Sequence, residues 1–508
     1  MKVSLVGAGP GDPGLLTVRA REILQTASVI VYDALANPQL LALARPDAEL
    51  LYVGKIADKH ALPQAEINAL LVAKAREKGD VARLKGGDPY IFGRGGEEGE
   101  YIAKHGIALE VAPGISSAIA APAYAGIPLT HRDLASSVIF ITGHEKPDKH
   151  QSSHDWQAFV KSKSTLVFLM GMKNLAAICQ NLIAAGMDKK MPGAVIYRGT
   201  TPLQRTVIAP VAELPDVAAR AGLSNPAVIV IGRVVEMAGQ LDWFGQKPLL
   251  GKRIVITRSR EQASALTDRL AELGAAVTEF PTIAIQPLED YSACDQAISD
   301  LPAWRWLVFT SVNGVRMFWR RLAKAGLDTR ALCACKVAAI GPATADCLAA
   351  YGVKADLVPP TYIAESVAQA LIQAEGGNLA RMRILLPRAA EAREILPELL
   401  QKAGAEVAVA PVYRTVPGHG NVPELERLLA SQAIDCIAFA SSSTVRNFLK
   451  LVPATALLGQ RKLKLAAIGP ITAAELAKNG LTAAIQPQAY TIPSLVDAIA
   501  AALTGEEQ

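Results

Sequence analysis

The second half of this sequence is written twice. Arg258, Leu266, Leu270, Gly274, Ala275, Val277 and Pro281 return 130 positions later as Arg388, Leu396, Leu400, Gly404, Ala405, Val407 and Pro411. Phe309, Ser311, Val315, Arg316 and Phe318 return at the same offset as Phe439, Ser441, Val445, Arg446 and Phe448, and Ala339-Ile340-Gly341-Pro342 returns 128 positions later as Ala467-Ile468-Gly469-Pro470. One supersecondary plan used twice is the simplest cause, so residues 251–508 are expected to form two similar lobes. Ser311/Ser441 and Thr344/Thr472 fall in turns after strands, where apolar packing has no use for a hydroxyl. Open α/β sheets bind ligands at such strand ends, which makes these polar repeats candidates for ligand contact.

The same alternation of short apolar runs with amphipathic stretches extends over the whole chain. Val3 to Val6, Val29 to Tyr32, Val81 to Leu84, Val138 to Thr142, Leu166 to Met170, Val228 to Ile231, Ile254 to Thr257 and Leu307 to Phe309 read as strands, most of them buried on both faces. Ala65 to Lys78 reads as a helix with Ile67, Leu70, Leu71 and Ala75 on one face, stopped by Gly79. The fold class is therefore α/β. A chain of 508 residues holds roughly three or four compact units. The turn-rich stretch Phe244 to Gly251 marks the main break, giving a first unit of 1–245 (lobes about 1–112 and 113–245), a linker of 246–250 and a second unit of 251–508.

Several classes are disfavoured. Apolar runs break well before bilayer length, and the amino terminus enters a strand pattern instead of a signal peptide, so a cytoplasmic protein without membrane contact is expected. Six scattered cysteines read as ordinary thiols, and no metal motif is present. A net charge of +5 without clustering gives no nucleic-acid footprint.

Three glycine-rich motifs lie in the first unit. Gly7-Ala8-Gly9-Pro10-Gly11-Asp12-Pro13-Gly14 follows a strand, but Asp12 takes the place of the third glycine of a dinucleotide turn and two prolines remove backbone donors, so the alternative of an NAD-dependent oxidoreductase is disfavoured. Gly86-Gly87-Asp88-Pro89-Tyr90-Ile91-Phe92-Gly93-Arg94-Gly95-Gly96-Glu97-Glu98 combines close backbone approach with charge. Ala112-Pro113-Gly114-Ile115-Ser116-Ser117 leads into a small-residue helix whose amides and hydroxyls suit a carboxylate. Read on its own, Met170 in Phe168-Leu169-Met170-Gly171 is a core residue.

These motifs, with Pro128-Leu129-Thr130-His131-Arg132, resemble the tetrapyrrole methylases and within them the uroporphyrinogen-III C-methyltransferases, over nearly all of 1–245. The resemblance implies a two-lobed methylase that binds S-adenosylmethionine in a cleft, with contacts at Pro10, Gly86, Gly87, Asp88, Ile91, Ser116, Ser117, Met170 and Gly199. Ser116-Ser117 departs from the Thr-Ala of many relatives. It further implies Asp33 as proton acceptor, Lys55 as proton donor and a homodimer through this half. Lys85, Arg94 and Arg132 are candidates to meet substrate carboxylates; His131 and His144 have no assigned role.

Phe309 to Gly314, Ala339 to Thr344, Pro411-Val412-Tyr413-Arg414-Thr415 and Phe439 to Ser443 resemble uroporphyrinogen-III synthase over residues 251–508. That resemblance implies two α/β lobes with the first strand-helix unit placed in the carboxyl-terminal lobe, and no cofactor. Tyr413 would assist the departing hydroxyl, while Thr344, Ser441, Ser442 and Thr472 would bind acetate or propionate groups. Arg258 and Arg388 suit anion binding better than proton transfer. Taken together, the resemblances imply closure of hydroxymethylbilane to uroporphyrinogen III and its double methylation to precorrin-2, on the path to sirohaem or corrinoids. The alternative is an active methylase joined to a non-catalytic tetrapyrrole-binding half.

Overall fold

The computed structural model describes residues 1–54, 62–143, 154–257, 260–392, 394–418 and 420–505. The first sheet is formed by β1 (Lys2–Gly7), β2 (Val29–Tyr32), β3 (Glu49–Tyr52), β4 (Asp80–Lys85) and β5 (Ala108–Ala112), all parallel, in the order β3-β2-β4-β1-β5. Parallel strands need both faces covered, and period-2 alternation supplies two cores. Val3, Leu5, Val31 and Val81 pack with the helices Gln64–Lys78 and Gly95–Lys104 on one side; Val6, Ile30, Ala82 and Leu84 pack on the other. The helix read as starting at Ala65 starts at Gln64, buries Ile67, Leu71 and Ala75, and ends at Gly79, whose φ of 92° only glycine adopts at no steric cost.

The second sheet contains β6 (Val138–Thr142), β7 (Thr165–Leu169), β8 (Pro192–Tyr197), β9 (Arg205–Pro210) and β10 (Ala227–Ile231), ordered β6-β7-β10-β8-β9. Only β6 and β7 are parallel; the other neighbours run antiparallel.

The duplicated half exchanges its parts. Its strands are β11 (Arg253–Ile256), β12 (Ala276–Glu279), β13 (Ile283–Gln286), β14 (Trp306–Phe309), β15 (Lys336–Ala339), β16 (Arg383–Ala389), β17 (Glu406–Pro417), β18 (Cys436–Phe439) and β19 (Lys464–Ala467). One sheet has the order β12-β11-β18-β19 and the other β13-β17-β16-β14-β15. By the repeat, β12, β11, β18 and β19 correspond to β17, β16, β14 and β15. The two sheets therefore share one strand order, and each lobe takes its first two strands from one copy and its last two from the other. β13 is an addition, antiparallel on the edge of β17.

The stretch joining the halves is pinned at both ends. The ring of buried Phe244 lies 4.8 Å from that of Tyr124 in the second lobe. Leu249 is buried in the core built on β11 and β18, and its N–H donates to Leu273 O at 2.9 Å. Among the described residues no helix is long and apolar enough to cross a membrane.

Candidate functional site

Because β1 to β5 are parallel, their carboxyl ends share one edge, and the three glycine motifs meet there. Backbones touch directly: a Cβ on Gly114 would lie 2.2 Å from Gly87 O and 2.7 Å from Gly7 Cα. Gly9 and Gly87 exchange hydrogen bonds, Gly87 N to Gly9 O at 2.7 Å and Gly9 N to Gly87 O at 3.2 Å. Asp88 staples the cradle. Its Oδ1 accepts from the N–H of Tyr90 (2.8 Å) and Ile91 (3.1 Å), and its Oδ2 accepts from Gly114 N–H (3.0 Å). Ser116 caps the helix Ser117–Tyr124 by accepting from Ala118 N–H, with Ser117 as the first helical residue. Large apolar side chains stay uncovered along this edge: Leu35, Tyr90, Ile91, Phe92 and Ile115. Exposed apolar groups around a bare glycine turn suit a ligand with a flat apolar part and a polar end.

Asp12, the residue that spoils the dinucleotide pattern, ties this edge to the second lobe. Its N–H donates to Thr200 Oγ1 (3.2 Å), and Tyr124 donates its hydroxyl to Asp12 Oδ2 (2.7 Å). Burial first, and then this carboxylate, hold the Tyr124 phenol protonated to a higher pH than usual. Thr200 and Arg198 both have left-handed backbones around Gly199, where a Cβ would lie 2.3 Å from Ala121 Cβ. Met170 is not the core residue its neighbours suggest. It is 48% exposed at the end of β7, with φ 57°. Five of the eight left-handed non-glycine residues among the described residues, Phe92, Arg94, Met170, Arg198 and Thr200, occupy these loops. Such strain persists where the surroundings over-determine it, commonly at ligand sites.

Beneath Asp33 lies a charge cluster that the residue patterns do not announce. Arg83 and Lys85 stand two apart on β4, on the face packed by the helices Gln64–Lys78 and Gly95–Lys104, and both are buried. Arg83 Nη2 donates to Asp33 Oδ2 at 2.9 Å, and its Nη1 reaches the carbonyls of Leu84 (3.1 Å) and Val31 (3.4 Å). Lys85 Nζ (2.9 Å), Gln64 Nε2 (3.0 Å) and Arg83 Nε (3.4 Å) all converge on Oε1 of fully buried Glu98. Burial, and then the neighbouring Arg83, lower the pKa of the Lys85 ammonium. Lys85 is therefore not free to meet a substrate carboxylate; its carboxylate is internal. Two cations in a strand buried on both faces were the available signal, since such residues are almost never enclosed unpaired.

Arg94 is exposed and forks onto Glu97 at 3.0 and 2.7 Å, while exposed Arg132 makes no ion pair among the described residues. Lys55, His144 and Arg258 lie outside the described residues.

In the duplicated half the hydroxyls have local work. Ser311 and Ser441 are helix N-caps, accepting from Gly314 N–H (3.0 Å) and Thr444 N–H (3.3 Å), so the expectation that structure has no use for them is corrected. Ser311 also meets the Tyr413 hydroxyl at 3.1 Å, which brings the motifs after β14 and within β17 together. Tyr413 is buried, and burial raises the pKa of its phenol. Thr344 is buried near the start of its helix in the same lobe. Thr472, also buried, begins the equivalent helix of the other lobe, where Ser441 and Ser442 stand. Arg388 is buried and paired with the exposed Glu394 of the same lobe.

Comparison with known proteins finds a different family in each half of the chain. Residues 2–215 match the Tetrapyrrole (Corrin/Porphyrin) Methylases and residues 264–497 match Uroporphyrinogen-III synthase HemD. A "Porphyrin biosynthesis protein HemD" of Ruminiclostridium josui is 36% identical over 495 residues, 97% of each chain. The uroporphyrinogen-III C-methyltransferase of Bacillus subtilis (strain 168) is 44% identical over 332 residues, 65% of this chain and 68% of that one. A siroheme synthase of Chromobacterium violaceum is 52% identical over 242 residues, about half of each chain. The chain therefore belongs to the tetrapyrrole methylases through its amino-terminal half and to the uroporphyrinogen-III synthases through its carboxyl-terminal half.

Proposed function

We propose that this chain is a bifunctional enzyme that closes hydroxymethylbilane to uroporphyrinogen III, with inversion of the last ring and loss of water, and then methylates that product twice on ring carbons to give precorrin-2. The observation that carries the reading is the near end-to-end match, over 97% of both chains, to a relative in which both halves are joined in the same order. The boundary at 246–250, a cytoplasmic location and a homodimer through the methylase half belong to the same proposal.

The glycine cradle fits S-adenosylmethionine, which when bound supplies an electrophilic methyl group on sulfur. The backbone of Pro10, Gly86 and Gly87, Ile91, the helix start at Ser116-Ser117 and the strained turns at Met170 and Gly199 would hold it, with Asp88 fixing the loops around it. The macrocycle loses a proton after each transfer. Asp33, fixed by Arg83 at the same strand edge, is the acceptor and Lys55 the donor. Arg94 and Arg132 would face the carboxylates of the macrocycle. In the synthase half Tyr413 assists departure of the hydroxyl as water, and Thr344, Ser441, Ser442 and Thr472 bind the acetate and propionate groups from the two lobes. Incubating the chain anaerobically with authentic uroporphyrinogen III and S-adenosylmethionine tests the methylase reading. A product heavier by two methyl groups supports it; unchanged mass overturns it.

A further inference from the structure

The cluster under Asp33 is larger than a surface ion pair and is costly to enclose. Three charged side chains, Arg83, Lys85 and Glu98, are each more than nine-tenths buried, and desolvating ions costs several kcal/mol apiece unless geometry repays it. A fold wanting only stability would put apolar residues on this face of β4, as it does at Val81. The cluster also leaves Glu98 Oε2 buried and without a hydrogen-bond partner. What the arrangement achieves is a fixed guanidinium. Arg83 is held by Glu98 through Nε and by the carbonyls of Val31 and Leu84 through Nη1, and its remaining arm, Nη2, points to Asp33. Val31 lies opposite Arg83 in the β2–β4 register, so the guanidinium reaches along β2 to the first residue beyond its end. Lys85 and Gln64 donate to the same Oε1 of Glu98 that Arg83 Nε reaches.

We propose that Arg83 is a positioning residue for the methylation step: anchored by Glu98, it fixes the carboxylate of Asp33 in the orientation that accepts the proton from the macrocycle. This rests on the reading of Asp33 as acceptor. Arg83 is buried with its guanidinium committed to Glu98, Asp33 and two backbone carbonyls, so its loss should act on turnover and not on binding.

The test measures kcat, KM for S-adenosylmethionine and cofactor affinity for the full-length chain and for Arg83→Met, Arg83→Lys, Asp33→Asn and the double variant Arg83→Met/Asp33→Asn. Misplacing a reacting group by about 1 Å costs up to about a hundredfold, so Arg83→Met should lower kcat by about ten- to a hundredfold with KM and cofactor affinity within about twofold. Arg83→Lys, which keeps one charged donor, should recover part of the loss. In the Asp33→Asn background Arg83→Met should cost less than about threefold, because two residues acting as one unit are not additive. Equal losses from Arg83→Met in both backgrounds, or loss of cofactor affinity together with turnover, overturn the proposal while leaving Asp33 in its role. Full activity of Asp33→Asn overturns that role, and the proposal with it. If Arg83→Met does not fold, Glu98→Gln, of the same shape, carries the same comparison.

Discussion

Gly114 has no room for a methyl group on any side that matters. A Cβ 2.2 Å from Gly87 O would push apart the ends of β1, β4 and β5, so Gly114→Ala is expected to destabilise the amino half by roughly 1–3 kcal/mol, as overpacking does, and to weaken S-adenosylmethionine binding at least about tenfold. Gly96→Ala is the control: it meets nothing within 4 Å inside the helix Gly95–Lys104, and should be neutral or gain about 0.5–1 kcal/mol. Thermal unfolding and isothermal titration of the two variants check this. Tyr413→Phe should lower the rate of bilane closure by about a hundredfold, the lower range of general acid assistance, and leave methylation of authentic uroporphyrinogen III unchanged. At this scale the sequence is partly legible. Asp33, Asp88 and the glycines stand in motifs, and a motif is visible because its residues are near one another in the chain. The partners that give Asp33 its orientation are 50 and 65 positions away, on another strand and a helix, and only the pairing of β2 with β4 brings them together.

Elements were easier to read than side-chain duties. β2 and β6 run over the residues that their apolar periodicity picks out, and the other strands read from that pattern differ by at most one residue at either end. The helix Gln64–Lys78 differs by a single residue. Apolar runs and 3.6-residue apolar patterns survive because both faces of these sheets are covered and most buried positions are apolar; Arg83 and Lys85 on β4 are exceptions, and each is paired. Ser311 and Ser441 show the limit of that logic: a hydroxyl after a strand has a structural use that apolar periodicity does not reveal, since both start helices. Ser441 sits in a reciprocal capping box with Thr444, so Ser441→Ala should destabilise its lobe by about 1 kcal/mol and Ser441→Gly by only a few tenths, measured by denaturant unfolding. Met170 failed for the opposite reason. Its apolar neighbours concealed a left-handed turn, and nothing in the residue type announces a positive φ.

In the whole molecule the duplication is real but its copies do not each form a lobe. Two copies of similar sequence offer similar strand edges, so periodicity cannot decide whether β11 pairs within its own copy or with β18; the family resemblance implied the crossing, and the sheet pairing contains it. The exchange leaves Ser311, Thr344 and Tyr413 on one lobe and Ser441, Ser442 and Thr472 on the other. The central claim is that one chain carries both reactions. It is tested most directly by incubating the purified chain anaerobically with hydroxymethylbilane, with and without S-adenosylmethionine, and resolving the products by isomer and by mass. The chain should give the type-III isomer alone without the cofactor and a dimethylated type-III product with it. Type-I isomer in both tubes, the product of closure without ring inversion, would contradict that claim and leave the carboxyl half a binding module.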